Sequence, residues 1–375
     1  MPRYYVDYAA SAPLLPEAWA AMVPWLRNEF GNPSSIHAEG RRAKGEIDAA
    51  REVISSGLGC LFGEVIFTSG GTEAGNLALL GAALARPKGR NRVLISEIEH
   101  ECVLACAEPL RRLGIEVEFI PCNPDGVIEP EAVEERLGED VLLVCVMHAN
   151  NELGTLQPIA EIGSMVQSHG ALFHTDAVQT FGHLPFSMQE LPVDLVSVSA
   201  HKLGGPKGIG ALAVRAGTSL APMLVGGGQE REMRAGTENV GLMAGFAAAY
   251  QASPVPHSEA RDAFLEALAG TKHLRTVPEG VRTLAGHAHV RFPGVRAETL
   301  LIRLDRAGVS ASSGAACSSG SIEPSHVMLA LGLSESEALE SIRFTFGPTD
   351  SAEIGRAVAI ITTETVASIR EGRTS

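Results

Sequence analysis

The chain has 375 residues, 45% of them hydrophobic and only 5% aromatic, with 40 glycines and 30 basic against 44 acidic side chains. That length exceeds what one hydrophobic core usually serves, so two domains are expected, and a net charge of −14 argues against nucleic acid as a partner. No apolar run reaches membrane-spanning length, and the opening MPRYYVDYAASAP lacks a basic flank followed by an apolar stretch, so no membrane partner, no signal peptide and a cytoplasmic location are expected.

In chain order, EVIFT (64–68) predicts a strand and GGTEAGNLALLGAALA the helix after it. RVLIS predicts a strand, and CVLACAEPLRRLG a single helix with leucines at helical spacing. IEVEFIP, VLLVCVM, ALFHTDA, DLVSVSA and GALAVR follow as short apolar strands, with helical stretches such as IAEIGSMVQSHG between several of them. Near-continuous apolar strands alternating with helices predict an α/β fold with a largely parallel sheet covered on both faces, and such sheets bind ligands outside the carboxyl ends of their strands. The break SPVPHS (253–258) marks the domain junction. Beyond it come a helix over 259–269, a strand at HVRFP, a helix at AETLLIRLDRAG, a loop of small residues around Cys317, a strand at SIRFTFG and a final helix.

Four features sit at predicted strand ends. In TSGGTEAGN (68–76), Gly71 lets the backbone approach an anion, and the helix-start N–H groups with the Thr72 hydroxyl suit a phosphate. An ordinary Gly-rich turn reads the same way, and the absence of G-x-G-x-x-G disfavours a dinucleotide. Asp176 ends an apolar strand, where a carboxylate needs either a cationic or donor partner or a helix N-cap role. Ser199, His201 and Lys202 follow another strand in SVSAHKLGGPKGIG. The chain has five lysines, and elimination favours Lys202 as the reactive one: Lys44, Lys88, Lys207 and Lys272 fall on a charged helix face, in turns or in the second domain, whereas Lys202 comes off a buried strand where its pKa falls. His100 lies on a strand-to-helix loop. Together these are the parts for pyridoxal 5′-phosphate chemistry: a phosphate cradle, a carboxylate for the pyridine nitrogen and a Schiff-base lysine.

Six cysteines, at 60, 102, 106, 122, 145 and 317, form no C-x-x-C pair, so reduced thiols are expected. No metal site is expected; Cys102 and Cys106, one helical turn apart, read as small buried helix residues. Cys317 differs, standing in SSGAACSSGS with nothing able to fill a core. A loop of that composition, about 311–322, reads either as a plain linker or as a mobile tether for a nucleophilic thiolate.

With these segments in view, the sequence resembles the NifS/IscS-like cysteine desulfurases of the class V aminotransferases. The resemblance runs from YVDYAASAP and GNPSSIHAEGRRA through TSGGTEAGN, HANNELGTLQPI, HTDAVQ, SAHKLGGPKGIGAL, GGGQEREMRAGTEN and SSGAACSSG to IRFTFG. It implies a fold-type-I homodimer with a large cofactor domain (16–252) bearing a seven-stranded-type sheet and a small α+β domain (1–15 and 253–375). It further implies that Lys202 binds pyridoxal 5′-phosphate, Asp176 its ring nitrogen and Gln179 its hydroxyl, with His100 stacked on the ring. Thr72, Ser199 and His201 would hold the phosphate, joined by Thr237 from the second subunit. Asn151 and Arg343 would hold the substrate carboxylate, and Cys317 would take sulfur from L-cysteine as a persulfide and pass it to an acceptor protein for iron–sulfur cluster, cofactor or tRNA synthesis. Tyr8 and Ala12 stand where many relatives carry Asn and Thr, in a segment expected to border the substrate. Selenocysteine lyase, another class V aminotransferase activity and a non-catalytic assembly protein are the competing readings; Cys317 disfavours a transaminase, and Lys202, Asp176 and Arg343 disfavour lost chemistry.

Overall fold

A computed structural model describes residues 2–314 and 323–372. Its centre is a seven-stranded sheet in the order Val65–Thr68, Gly210–Val214, Leu195–Ser199, Leu172–Asp176, Val141–Cys145, Arg92–Ser96, Glu116–Ile120. Gly210–Val214 runs antiparallel to both neighbours, and the pairings from Leu195–Ser199 through Glu116–Ile120 are parallel. This is the predicted α/β sheet. The Val141–Cys145 strand is buried at every position, which is why it reads as an unbroken apolar run, and Leu195–Ser199 is equally buried although it carries two serines.

Helices cover both faces. Gly71–Leu84 packs over one, with Leu77, Leu79, Leu80 and Ala83 among its buried residues. Ala38–Leu58 and Val240–Ala252 pack together on the other, where Ile47, Ile54, Leu58 and Phe246 join Phe67, Val196 and Val198. The stretch CVLACAEPLRRLG departs from its prediction. It forms two short helices, Glu101–Leu104 and Ala107–Arg112. Pro109 supplies no N–H to the carbonyl four residues earlier, so helical bonding breaks at Ala105 and Cys106 despite the leucine spacing.

The edge strand Val65–Thr68 is capped by side chains. Arg51 and Glu230 form a two-pronged buried ion pair at 2.6 and 2.8 Å, Glu230 Oε2 also accepts the Phe67 N–H at 2.8 Å, and Arg51 and Arg231 donate to the Val65 carbonyl. The edge therefore offers fewer unpaired groups to another chain. Holding Glu230 there places Glu230, Arg231 and Glu232 at φ 44°, 56° and 66°, a left-handed run that costs about 1–3 kcal/mol per residue.

A second, three-stranded antiparallel sheet joins Ser341–Thr345, His287–Arg291 and Leu274–Arg275. Its core of Phe264, Val290, Phe292, Leu300, Leu304, Ile342, Phe344 and Val358 also takes in Val6 from the other end of the chain. Tyr4–Tyr5 pairs in parallel with Val309–Ser310, and the Thr345 N–H donates to the Val6 carbonyl. Residues 4–10 thus link the small sheet to the Lys202 end of the central one.

Candidate active site

The strand ends meet in one cavity lined by Gly71, Thr72, His100, Cys102, Met147, Asn151, Asp176, Val178, Gln179, Ser199, His201 and Lys202. Nine of the twelve residues predicted from sequence are therefore together. Gly71 opens the fourteen-residue helix directly after the Val65–Thr68 strand. A Cβ at Gly71 would stand 2.8 Å from Val178 Cγ2, and one on Gly210 would stand 2.8 Å from Gly70 Cα. Both glycines are needed for this turn to lie so close to the neighbouring strands.

Lys202 ends a short 3₁₀ turn (Ala200–Lys202), and its Nζ donates to the carbonyls of Ala9 and Ala10 at 2.6 and 3.0 Å. Burial, with the Arg343 guanidinium adding to it, lowers its pKa to about 8. A lysine is unreactive while protonated, so the sign is clear: Lys202 becomes nucleophilic as pH rises through about 8 rather than about 10.5. Acylation of Lys202 in the cofactor-free protein, followed by peptide mass spectrometry, is expected to accelerate with pH and level off above that point. A profile still climbing at the ordinary lysine value would contradict the desolvation.

Asp176 is buried; its Oδ1 accepts the Val178 N–H at 2.8 Å. Burial pushes its pKa up, while the Val178 N–H, His100 and Lys202 oppose that rise. His100 caps the Glu101–Leu104 helix by accepting the Cys102 N–H on Nδ1, which leaves the ring proton on Nε2. Burial lowers the His100 pKa and lowers that of His201 to about 4, so both imidazoles are neutral at physiological pH. Gln179 donates to the Ala9 carbonyl at 3.0 Å, joining Lys202 in fixing the N-terminal segment.

Three expected residues stand elsewhere. Arg343, on Ser341–Thr345, is buried beside the cavity, where it donates to the Asn151 carbonyl and to Asp7 Oδ1, both at 2.8 Å. Thr237 is exposed in a separate cleft with Thr68, Ser69, Arg234 and Glu238. Cys317 lies outside the described residues. Tyr8 and Ala12 line a neighbouring apolar cavity, so the N-terminal segment meets Lys202 through backbone carbonyls rather than through those side chains.

Sequence reasoning missed Asp7, whose ion pair turns Arg343, and Cys102, whose Sγ lies 3.0 Å from His100 Nδ1 inside the cavity. It also missed Glu99, which accepts the Ser96 hydroxyl and the Met147 N–H at 2.6 Å each and whose pKa burial raises to about 8. The E-H pair at 99–100 was the available signal: an acidic residue beside a candidate histidine at a strand end.

A profile described as "Aminotransferase class-V" matches residues 4–354. The chain belongs to the class V aminotransferase family. Within that family it is 42% identical over 354 residues to "Cysteine desulfurase IscS" of Dictyoglomus turgidum, covering 92% of this chain and 89% of that protein. Among solved structures it resembles a "NifS-like protein" with a TM-score of 0.91, 32% identity and coverage of 97% and 99% of the two chains. It also resembles "SspA in complex with cysteine", with a TM-score of 0.84, 36% identity and coverage of 92% and 99%. These relatives and the family make this a pyridoxal 5′-phosphate-dependent enzyme of the fold-type-I class. The cavity fits that group: one amine with a lowered pKa, one buried carboxylate for a ring nitrogen, and a glycine-started helix for a phosphate.

Proposed function

We propose that the protein is a cysteine desulfurase that converts L-cysteine to L-alanine while Cys317 takes the sulfur as a persulfide. The step balances: the substrate C–S bond breaks, a hydrogen replaces sulfur on the carbon, and the sulfur atom joins the Cys317 thiol, with no outside oxidant. The observation that carries the reading is the convergence of Lys202, Asp176, His100 and Asn151 on one cavity, with the Arg343 guanidinium bonded to its rim.

Bound pyridoxal phosphate supplies an electron sink that labilises bonds at the substrate Cα. Lys202 would hold the cofactor and move the Cα proton, Asp176 would keep a proton on the ring nitrogen, and Gln179 would donate toward the ring hydroxyl. His100, neutral with its proton on Nε2, would lie against the ring and donate the proton that replaces sulfur on the carbon. Gly71, Thr72, Ser199 and His201 hold the phosphate. Arg343 and Asn151 hold the substrate carboxylate, with Asp7 turning the guanidinium. Arg343→Lys trades a planar fork for a point charge. Its KM for L-cysteine is expected to rise about 10- to 100-fold, the worth of one charged hydrogen bond, with a smaller change in kcat. A steady-state titration checks this, and an unchanged KM would remove Arg343 from substrate recognition.

The chain divides into a large unit, 16–252, and a small one, 1–15 with 253–375, a division supported by the apolar cluster that joins Val6 to residues 260–366. It works as a homodimer: Thr237 is exposed and away from its own cavity, as a group donated to a second copy's phosphate site must be. Exposed apolar side chains at Phe30 (88%), Ile36 (90%) and Val225 (78%) favour such a contact. No described helix is long and apolar enough to cross a membrane, and we place the enzyme in the cytoplasm, passing sulfur to an acceptor protein for iron–sulfur cluster, cofactor or tRNA synthesis. The test is anaerobic incubation of the holoenzyme with L-cysteine and a thiol reductant. Equal amounts of alanine and sulfide are expected; cofactor bound with either product missing would point to another class V reaction.

A further inference from the structure

Residues 312–314 and 323–326 flank the segment that carries Cys317, and both flanks are tied to residues next to the substrate site. On the first flank, Ser312 pairs with the Arg343 backbone through two hydrogen bonds of 3.2 and 2.6 Å. Gly314 follows at φ 87°, its N–H donating to Ser312 Oγ. A Cβ at Gly314 would stand 2.5 Å from Glu152 Oε2, so this backbone rests directly on the Glu152 carboxyl. On the second flank, the Ser325 hydroxyl donates to the same Oε2 at 2.7 Å while its oxygen caps Val327 and Met328. His326 Nε2 meets the Glu99 carbonyl at 2.9 Å, one residue before His100.

Glu152 is 2% exposed, an uncommon setting for a carboxylate without a role. Its loop is fixed from below, because Asn150 Oδ1 accepts the N–H groups of both Glu152 and Leu153 at 2.9 Å. It follows Asn151, whose carbonyl takes the Arg343 guanidinium. One carboxyl oxygen therefore touches both flanks and stands one residue from the substrate-holding pair. Cys317 comes three residues after Gly314. Chain geometry keeps its Cα within roughly 11 Å of the Gly314 Cα, whatever conformation lies between. The place of Gly314 consequently limits where the thiol can go.

Resting on the desulfurase reading, we propose that Glu152 is a positioning residue for sulfur transfer: its buried carboxyl fixes the two flanks of the Cys317 segment to the loop that holds the substrate carboxylate. It need touch no reacting atom. It sets the origin from which the thiol reaches the substrate sulfur, and transfer rates are steep in such placement.

The test uses holoenzyme of the wild type, Glu152→Ala, Glu152→Gln, Ser325→Ala and the Glu152→Ala/Ser325→Ala double variant. L-Cysteine affinity is read by titrating the absorption of the bound cofactor, and transfer by single-turnover alanine together with persulfide mass on Cys317. Affinity is expected to stay within about twofold in every variant, while transfer falls about 10- to 100-fold in Glu152→Ala and in Ser325→Ala. Glu152→Gln is expected to recover most of the rate, since its amide oxygen still accepts the Ser325 hydroxyl. The double variant should be no slower than Glu152→Ala alone. Unchanged transfer in Glu152→Ala, a matching loss of cysteine affinity, or additive effects in the double variant would each overturn the proposal. If Glu152→Ala fails to fold, Ser325→Ala decides, because an unchanged rate there overturns it equally. Absence of alanine from the wild type would sink the desulfurase reading instead, a result distinct from all of these.

Discussion

Lys202→Ala is expected to end the reaction and to remove the absorption of covalently held cofactor from the purified protein. Lys202 is the one lysine among the cavity's lining residues, and burial brings its pKa to about 8. Its loss removes both the covalent anchor and the base for the Cα proton. Proton transfer alone is worth roughly 10²–10⁴ in rate, so alanine formation should fall by at least about that much. Folding should survive. The Ala9 carbonyl keeps the Gln179 donor, and Ala10 is exposed, so water replaces the lost amine there. Lys202→Arg, which keeps the charge and not the nucleophile, should be equally inactive. Single-turnover alanine assays and an absorption spectrum decide the matter, and wild-type alanine rates in either variant would refute the assignment.

Cys317→Ala is expected to abolish persulfide and sulfide while cofactor and L-cysteine still bind. The described thiols argue for this by elimination. Burial pushes Cys60, Cys102 and Cys122 up to about 12 and Cys106 to about 11, and holds Cys145 well above the ordinary range. A thiol kept protonated is a poor nucleophile. Cys102 is the one rival inside the cavity, 3.0 Å from His100, yet burial and then Asp176 disfavour its thiolate. Cys102→Ala should therefore keep persulfide on Cys317 within about threefold of wild type, as a substitution outside the transfer step does. Anaerobic tryptic mapping of the persulfide reads both variants. Persulfide formed in Cys317→Ala and lost in Cys102→Ala would exchange the two roles.

The central sheet was legible because most of its strands are short, largely buried runs rich in apolar residues, as at Val65–Thr68 and Val141–Cys145, with Glu116–Ile120 the more exposed edge. The cavity was legible for a related reason: its residues follow strand ends closely, as Asp176 closes the Leu172–Asp176 strand and Lys202 comes three residues after Ser199. What stayed hidden was set by contacts distant in sequence. Asp7 turns Arg343 across 336 residues and Ala9 takes Lys202 across 193, and no local pattern encodes either. The divided helix at 101–112 shows one proline outweighing a correct leucine spacing. The role proposed for Thr237 rests on the family resemblance, and a single copy of the chain shows only that it is exposed in a cleft apart from the cavity.

The placement of residues 4–10 bears on how the protein is made. They are synthesised about 300 residues before their partners, since Tyr4 and Val6 bond to Gly308 and Ser310, and Tyr8 to Thr345. The large sheet can assemble during synthesis with this segment still unpaired, and closing so long a loop must wait until residues 308–345 have emerged. The carbonyl partners of Lys202 and the aspartate of Arg343 all lie on this segment. A nascent chain halted before residue 345 would carry the lysine, the carboxylate and the phosphate cradle without the segment that closes over them. Competence for cofactor loading would then follow synthesis of residues 308–345.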